Sequence, residues 1–196
     1  ALKGALDYPY GCAEQTTSKG YAALLLDAVS AKQFGIGGLD AAKRRARMEG
    51  AFGRLASMQV SSGHFSMWGD DDYVDPALTP YIVEFLLDAR EGGFAVPDAV
   101  LQKALQRLSE DLLAAFRDAP LKTVPGVVEA IDAIEAAGIA TCVASSGGLD
   151  KMRVTLGIVG LWSRFEGRIF SSSQVPRGKP FPDLFLHAAM SRGVAP

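Results

Sequence analysis

Ile139-Ala140-Thr141-Cys142-Val143-Ala144-Ser145-Ser146-Gly147-Gly148 is where this chain changes character. The first six residues are a short apolar run of strand type, and the polar turn behind them leads into a helix expected near Leu149 to Ile158. Upstream, Pro125-Gly126 opens a helix to Ala137, which Gly138 breaks. Downstream, Arg168-Ile169-Phe170 is a candidate second strand, and Pro182 to Ser191 reads as a last helix. Helix, strand, polar turn, helix is the order of an α/β sheet with its site at the carboxyl end of the strand. There Ser145 can bind a phosphoryl oxygen through its hydroxyl, with the Ser146 and Gly147 amides as further donors. Lys179, between Gly178 and Pro180, can neutralise a carboxylate and a phosphoryl group. Taken singly, a Ser-Ser-Gly turn is an ordinary loop and a Gly-Lys-Pro says little.

Toward the amino terminus the pattern is helical from Thr16 to about Leu113. Thr16-Thr17-Ser18 offers capping hydroxyls, followed by Tyr21, Leu24, Leu25 and Ala28 at i, i+3, i+4, i+7. A second helix fits Leu39 to Val60, with Met48, Phe52, Leu55 and Met58 or Gln59 on one side, and Ser61-Ser62-Gly63 ends it. His64-Phe65-Ser66-Met67-Trp68-Gly69 and Asp70-Asp71-Asp72 read as a loop carrying buried aromatics. A third helix spans Leu78 to Arg90 around Tyr81, Ile82, Phe85 and Leu86, closed by Gly92-Gly93. A fourth starts at Pro97-Asp98, with Val100, Leu101, Leu105, Leu108 and Leu112 inward. The basic cluster Lys43-Arg44-Arg45-Ala46-Arg47 reads as the wet face of the second helix.

Cys12 and Gln15 lie three residues apart in Tyr8-Pro9-Tyr10-Gly11-Cys12-Ala13-Glu14-Gln15-Thr16-Thr17-Ser18. One turn can bring the sulfur to the side-chain carbonyl, and loss of ammonia then leaves a thioester. Gly11 permits a close approach, while Tyr8, Pro9 and Tyr10 supply surface that would keep water off the bond. On the two residues alone, a small buried thiol and a polar residue near a helix start is the plainer account.

The whole string resembles the thioester region of the bacterial alpha-2-macroglobulin-like proteins. The resemblance continues through Gly63-His64-Phe65-Ser66-Met67-Trp68-Gly69 and Leu78 to Leu87, then Ala89-Arg90-Glu91 and Val96-Pro97, covering about residues 1–113. It implies a protease trap in which a lysine amine of the target protease attacks the acyl carbon of Gln15 and Cys12 leaves as thiolate. Glu14 belongs to the motif with no role assigned, and His64 is expected to be structural. No cofactor is implied for this half.

The Ser145 strand end and Arg177-Gly178-Lys179-Pro180-Phe181-Pro182-Asp183, with Phe165-Glu166-Gly167-Arg168-Ile169-Phe170 between them, resemble haloacid-dehalogenase-like phosphatases of the beta-phosphoglucomutase and sugar-phosphatase kind, from about 116 to 196. That resemblance implies magnesium-dependent phosphoryl transfer from a phosphate ester or sugar phosphate through an aspartyl-phosphate. The aspartate nucleophile and the acidic metal pair are not found: Asp70-Asp71-Asp72 follows no strand, and the sequence stops at Pro196 about where the next strand is expected. Asp183 is expected to orient Lys179 or start a helix, and His187 to lie on a helix face.

The net charge of −2 gives no reason to expect nucleic acid or an anionic membrane as partner, and no apolar run reaches the length of a membrane span. Two cysteines, Cys12 and Cys142, exclude a disulfide framework. The opening Ala1-Leu2-Lys3, without a signal peptide, reads as a start inside something larger. The expected fold is mixed: an all-α piece of an α/α toroid over 1–113, then an incomplete α/β Rossmann-like piece over 114–196, joined within about 108–120. The reading of function is a fragment of a thioester protease inhibitor joined to a catalytically incomplete phosphatase-like segment. The alternatives are a sugar-phosphate phosphatase or phosphoglucomutase, and a non-functional chimera. The first half implies an extracytoplasmic place and the second a cytoplasmic one.

Overall fold

A computed structural model describes residues 11–26, 28–33, 35, 40–70 and 73–194. Residues Tyr8, Pro9, Tyr10, Leu39, Asp71 and Asp72 of the sequence reading lie outside the described residues. The chain divides between Glu110 and Asp111 into two units.

The first unit is built from helices α1 (Ala13–Leu25), α2 (Ala28–Gln33), α3 (Ala41–Ala56), α4 (Leu78–Glu91) and the greater part of α5 (Asp98–Asp118). Helix α3 starts where the Asp40 carboxylate accepts from the Lys43 amide at 2.8 Å, filling one of the unsatisfied donors of a helix start. Its apolar residues Met48, Phe52 and Leu55 then fall on one face and meet Ile82, Phe85 and Leu86 of α4 and Leu101 and Ala104 of α5 in one buried core.

Helix α1 joins that core through small residues. Its buried stripe is Ala13, Thr16, Thr17, Gly20, Ala23 and Leu24. A β-carbon at Gly20 would lie 2.3 Å from Phe85 Cζ, so only glycine lets α1 approach α4 this closely. This corrects the apolar spacing read from sequence, because Leu25 turns out to be 73% exposed. Large side chains suggested the inward face, whereas small ones define it. Leu112 in α5 is likewise exposed, since the buried part of that helix is confined to Leu101 and Ala104 with Leu105 and Leu108 flanking.

Helix α1 also starts earlier than its hydroxyls suggest. Thr17 Oγ1 donates back to the Ala13 carbonyl at 2.8 Å, and Thr16 Oγ1 to the Gly11 carbonyl at 3.4 Å, so neither caps a helix beginning at 16. At the other end Arg44 Nε donates to the Ala23 carbonyl at 2.7 Å and Nη2 to that of Leu24, with the guanidinium 5.2 Å from the Phe94 ring centroid. Arg44 therefore satisfies the last carbonyls of α1 and is not a solvated charge on α3.

The second unit carries α6 (Val127–Ala136), β1 (Val143–Ser145), α7 (Leu149–Ile158), α8 (Trp162–Phe165), β2 (Ile169–Ser171), a 3₁₀ turn at Ser172–Gln174 and α9 (Asp183–Ser191). The strands pair in parallel, Val143 with Ile169, Ala144 with Phe170 and Ser145 with Ser171. The strand is shorter than the apolar run 139–144. Its ladder begins where the Val143 amide donates to the Arg168 carbonyl at 2.9 Å, and β2 has no residue before Ile169. The buried cluster here is Phe170, Leu184 and Ala188, with Ala144 and Val175 against it.

Polar contacts compensate in part for that thin core. Glu135 accepts from Arg164 Nη2 at 2.9 Å, from Arg168 Nη1 at 3.1 Å and from the Thr141 hydroxyl. The Thr141 hydroxyl first, then the two guanidiniums, push its carboxyl down to about 2. Across the described residues the chain is mostly helical, and no helix is long and apolar enough to cross a membrane.

Candidate functional site

Cys12 is the N-cap of α1, with φ −65° and ψ 174°, and its side chain makes no capping hydrogen bond. Gln15 is then the third helical residue. In a capping box the N-cap side chain reaches the backbone amide three residues on, and the side chain there reaches back to the N-cap amide. A thiol and a carboxamide thus occupy the N-cap and third helical positions of one helix start. Cys12 is 7% exposed, while Glu14 and Gln15 are exposed. Cys12 is thus shielded as a residue and Gln15 is open to solvent.

The helix start is held from outside. The Ala13 amide donates to the Met67 carbonyl at 2.9 Å, tying the motif to the segment Gly63–Gly69. That segment is itself fixed by buried polar groups. Ser66 is wholly buried; its amide donates to the Met58 carbonyl at 3.0 Å and its hydroxyl accepts from the Gly69 amide at 2.7 Å. Gly69 has φ +93°, and a β-carbon there would sit 2.8 Å from the Ser57 carbonyl oxygen. The buried Thr79 hydroxyl accepts from the Phe65 amide at 3.0 Å and lies 3.3 Å from His64 Nδ1. Sequence reasoning missed Ser66 and Thr79, although a serine among aromatics in Phe65-Ser66-Met67-Trp68 was a signal that could have found one of them.

In the second unit Ser145 ends β1, and its Oγ accepts from the Gly147 amide at 3.1 Å. Lys179 Nζ donates to the Ala144 carbonyl at 3.0 Å, with the ammonium 5.2 Å from the Phe185 ring centroid. Ser145, Ser146, Gly147 and Lys179 therefore meet at one strand end. Ser171 and Ser172, which the sequence did not single out, hold the turn by donating to the Gly147 and Ser146 carbonyls at 2.8 and 3.0 Å. Asp183 starts α9, the second of the two roles expected for it, and forms a two-pronged pair with Arg177 at 2.9 and 3.0 Å, which holds its carboxyl below the usual range. His187 stands edge-on to the Phe170 ring at 5.6 Å.

The donors at this strand end are hydroxyls, backbone amides and one ammonium. A divalent cation of the magnesium type takes carboxylate oxygens, so the residues present do not fit one. Among the described residues no group of three or more His, Cys, Asp or Glu could hold a metal ion.

A helical unit opening on a thiol and a carboxamide, followed by a short parallel sheet with anion-type donors at its end, is the class that these elements define. By the match of its residues 28–196 to the family model of haloacid dehalogenase-like hydrolases, the chain belongs to that family. It is also 65% identical over 113 residues to the alpha-2-macroglobulin of Xylella fastidiosa (strain Temecula1), and 37% identical over 121 residues to that of Escherichia coli K12. These matches cover 58% and 60% of this chain but 7% of each relative, so the chain spans a small part of their length. The crystal structure of native alpha-2-macroglobulin from Escherichia coli, from domain MG7 to the carboxyl terminus, superposes with a TM-score of 0.53 at 27% identity, covering 86% of this chain and 29% of that one. The hydrolase match takes in helical residues from 28 onward, upstream of the 116 at which that resemblance begins in the sequence motifs.

Proposed function

We propose that the chemistry of this chain resides in a Cys12–Gln15 thioester of the protease-trapping kind. The observation that carries the reading is the buried, uncapped thiol of Cys12 at the N-cap of α1, three residues before an exposed Gln15. In the forming step Cys12 Sγ attacks Gln15 Cδ and ammonia leaves. In the trapping step the amine of a protease lysine attacks the same carbon, the C–S bond breaks, and the thiolate takes the proton that the amine gives up. No metal or cofactor enters either step. The similarity to alpha-2-macroglobulins supports a protease as partner and a place outside the cytoplasm.

The test is intact mass with thiol titration on the full chain. A mass short by one ammonia, a Cys12 that is blocked until methylamine is added, and loss of both in Cys12→Ser are expected. A Cys12 that titrates freely in a chain of full mass overturns the reading.

The second unit reads as an incomplete Rossmann-like piece of its family. Its strand end offers Lys179 and the Ser145 hydroxyl to a phosphate or sugar phosphate, while among the described residues no group of three or more His, Cys, Asp or Glu could hold a metal ion. Weak anion binding without turnover is the expected behaviour. Magnesium-dependent phosphate release from a sugar phosphate, lost in Lys179→Ala, would favour the phosphatase reading instead. A join between two ancestries within residues 108–120 is supported by the unit boundary at 110/111, while the hydrolase family match runs across it from residue 28. Sequencing reads that cross this stretch only rarely in the source DNA are expected; abundant crossing reads would show a natural fusion.

A further inference from the structure

Lys19 lies four residues beyond Gln15 on α1, the spacing at which helical side chains are neighbours. The structure brings its amine back over the start of the helix. A β-carbon built on Gly11 would touch Gln15 Cβ at 3.3 Å, Thr16 Oγ1 at 3.4 Å and Lys19 Nζ at 3.5 Å. Gly11 has no such atom, so the Lys19 amine and the base of the Gln15 side chain border the same space beside Gly11. The buried Thr16 borders the same space, with its hydroxyl donating to the Gly11 carbonyl at 3.4 Å.

We propose that Lys19 is a resident acceptor for the Gln15 acyl group, so that a thioester not captured by an outside amine closes into a Gln15–Lys19 isopeptide bond. The inference rests on the thioester reading and adds to it an internal competitor that limits the lifetime of the reactive bond. The step balances. The unprotonated Lys19 amine attacks Gln15 Cδ, the bond from that carbon to Cys12 Sγ breaks, and the proton released by nitrogen goes to the departing sulfur. The products are an amide and a free thiol. No water is consumed, so the chain keeps the mass deficit of one ammonia while Cys12 becomes titratable. Hydrolysis would add a water in place of the lost ammonia, leaving the chain slightly heavier than the uncondensed sequence, and capture of methylamine would add the mass of the amine. The three fates are thus separable by weighing the chain and counting its thiols.

Placement on one helix face raises the effective concentration of the amine far above that of any added nucleophile, and unimolecular transfer gains accordingly. Only the unprotonated amine reacts, so transfer accelerates as the solution is made alkaline.

The experiment takes freshly purified full-length chain, incubates it at neutral and alkaline pH without added amine, and follows intact mass, Cys12 thiol content and tryptic peptides. A growing population with the ammonia deficit, a free Cys12 thiol and a cross-linked peptide containing Gln15 and Lys19 is expected. In Lys19→Arg, which keeps the charge and the stem, the cross-link should vanish, and methylamine-reactive thioester should decay roughly tenfold more slowly. A blocked Cys12 that decays only to the hydrolysed chain, with no Gln15–Lys19 peptide at either pH, overturns this inference and leaves the thioester reading standing. A chain of full mass with Cys12 free from the outset overturns both.

Discussion

The two units of this chain reach order by different means. In the first, aromatic and aliphatic side chains from four helices close on one another, and Met48, Leu55, Phe65, Ile82, Phe85 and Leu101 are fully buried. In the second, the buried apolar side chains among the described residues are Met152, Phe165, Phe170, Leu184 and Ala188, helix α6 buries none of its apolar side chains, and Phe185 of α9 is 54% exposed. What fixes the second unit is a set of guanidinium contacts on Glu135 and serine hydroxyls around one strand end. The difference teaches that a complete helix-packing core can stand on its own hydrophobic burial, whereas two short parallel strands depend on polar contacts that solvent and protons can undo.

The comparison breaks first on large-to-small substitutions. Phe85→Ala should destabilise the first unit by about 3–5 kcal/mol, read as loss of hydrogen-exchange protection in α1, α3 and α4 peptides. Leu184→Ala in the second unit should cost about 2 kcal/mol, the low end for a leucine, because its surroundings can collapse toward solvent. An equal cost at the two positions would show that the units are equally well packed.

Gly20→Ala should come next, at about 1–3 kcal/mol, since the added methyl meets the ring of a buried Phe85 that has no room to turn. A thermal melt that leaves this variant unchanged would remove the close approach of α1 to α4 from the account.

Acid should separate the units further. The Glu135 carboxyl titrates lower in the fold than its ordinary value of 4.5, so its contribution is present above that value and is lost as pH falls toward about 2. Exchange protection of β1 and β2 should therefore decline across this window, while that of the first unit's core declines less. Glu135→Gln should lose protection already at neutral pH and show little further decline in acid.

The smallest effect is expected at Arg177 and Asp183. Arg177 is well exposed, and the pair is screened by solvent. Asp183→Asn should leave the melting temperature of the second unit close to that of the parent. A large loss would mean that the loop carrying Lys179 is held chiefly by this ion pair.

Much of the element order was legible in the sequence. Helix α7 spans Leu149–Ile158, where the polar turn before it was expected to lead into a helix, and the apolar stripe Met48, Phe52, Leu55 and Met58 lies in the core. Helix α1 was less legible because its contact face is marked by Ala13, Gly20 and Ala23, small residues that carry no hydrophobic signal until their partners are known. The strand β1 was overread, since Ile139 to Cys142 have strand character but lie outside the ladder. The Arg44 cap on α1 was hidden because a basic cluster on a helix gives no sign of which carbonyls one of its members will reach.

By itself the sequence determined the chemical types and their spacing: a thiol and a carboxamide three residues apart, a hydroxyl after a short apolar run, and a lysine between glycine and proline. These follow from local rules of helix starts and strand ends, which act over a few residues. Only the tertiary structure decided that Met67 anchors the helix at Ala13, that Lys179 reaches the carbonyl beside Ser145, and that Lys19 folds back over Gly11. The first two depend on segments distant in the chain being packed together. The third depends on a rotamer choice that local spacing permits but does not select.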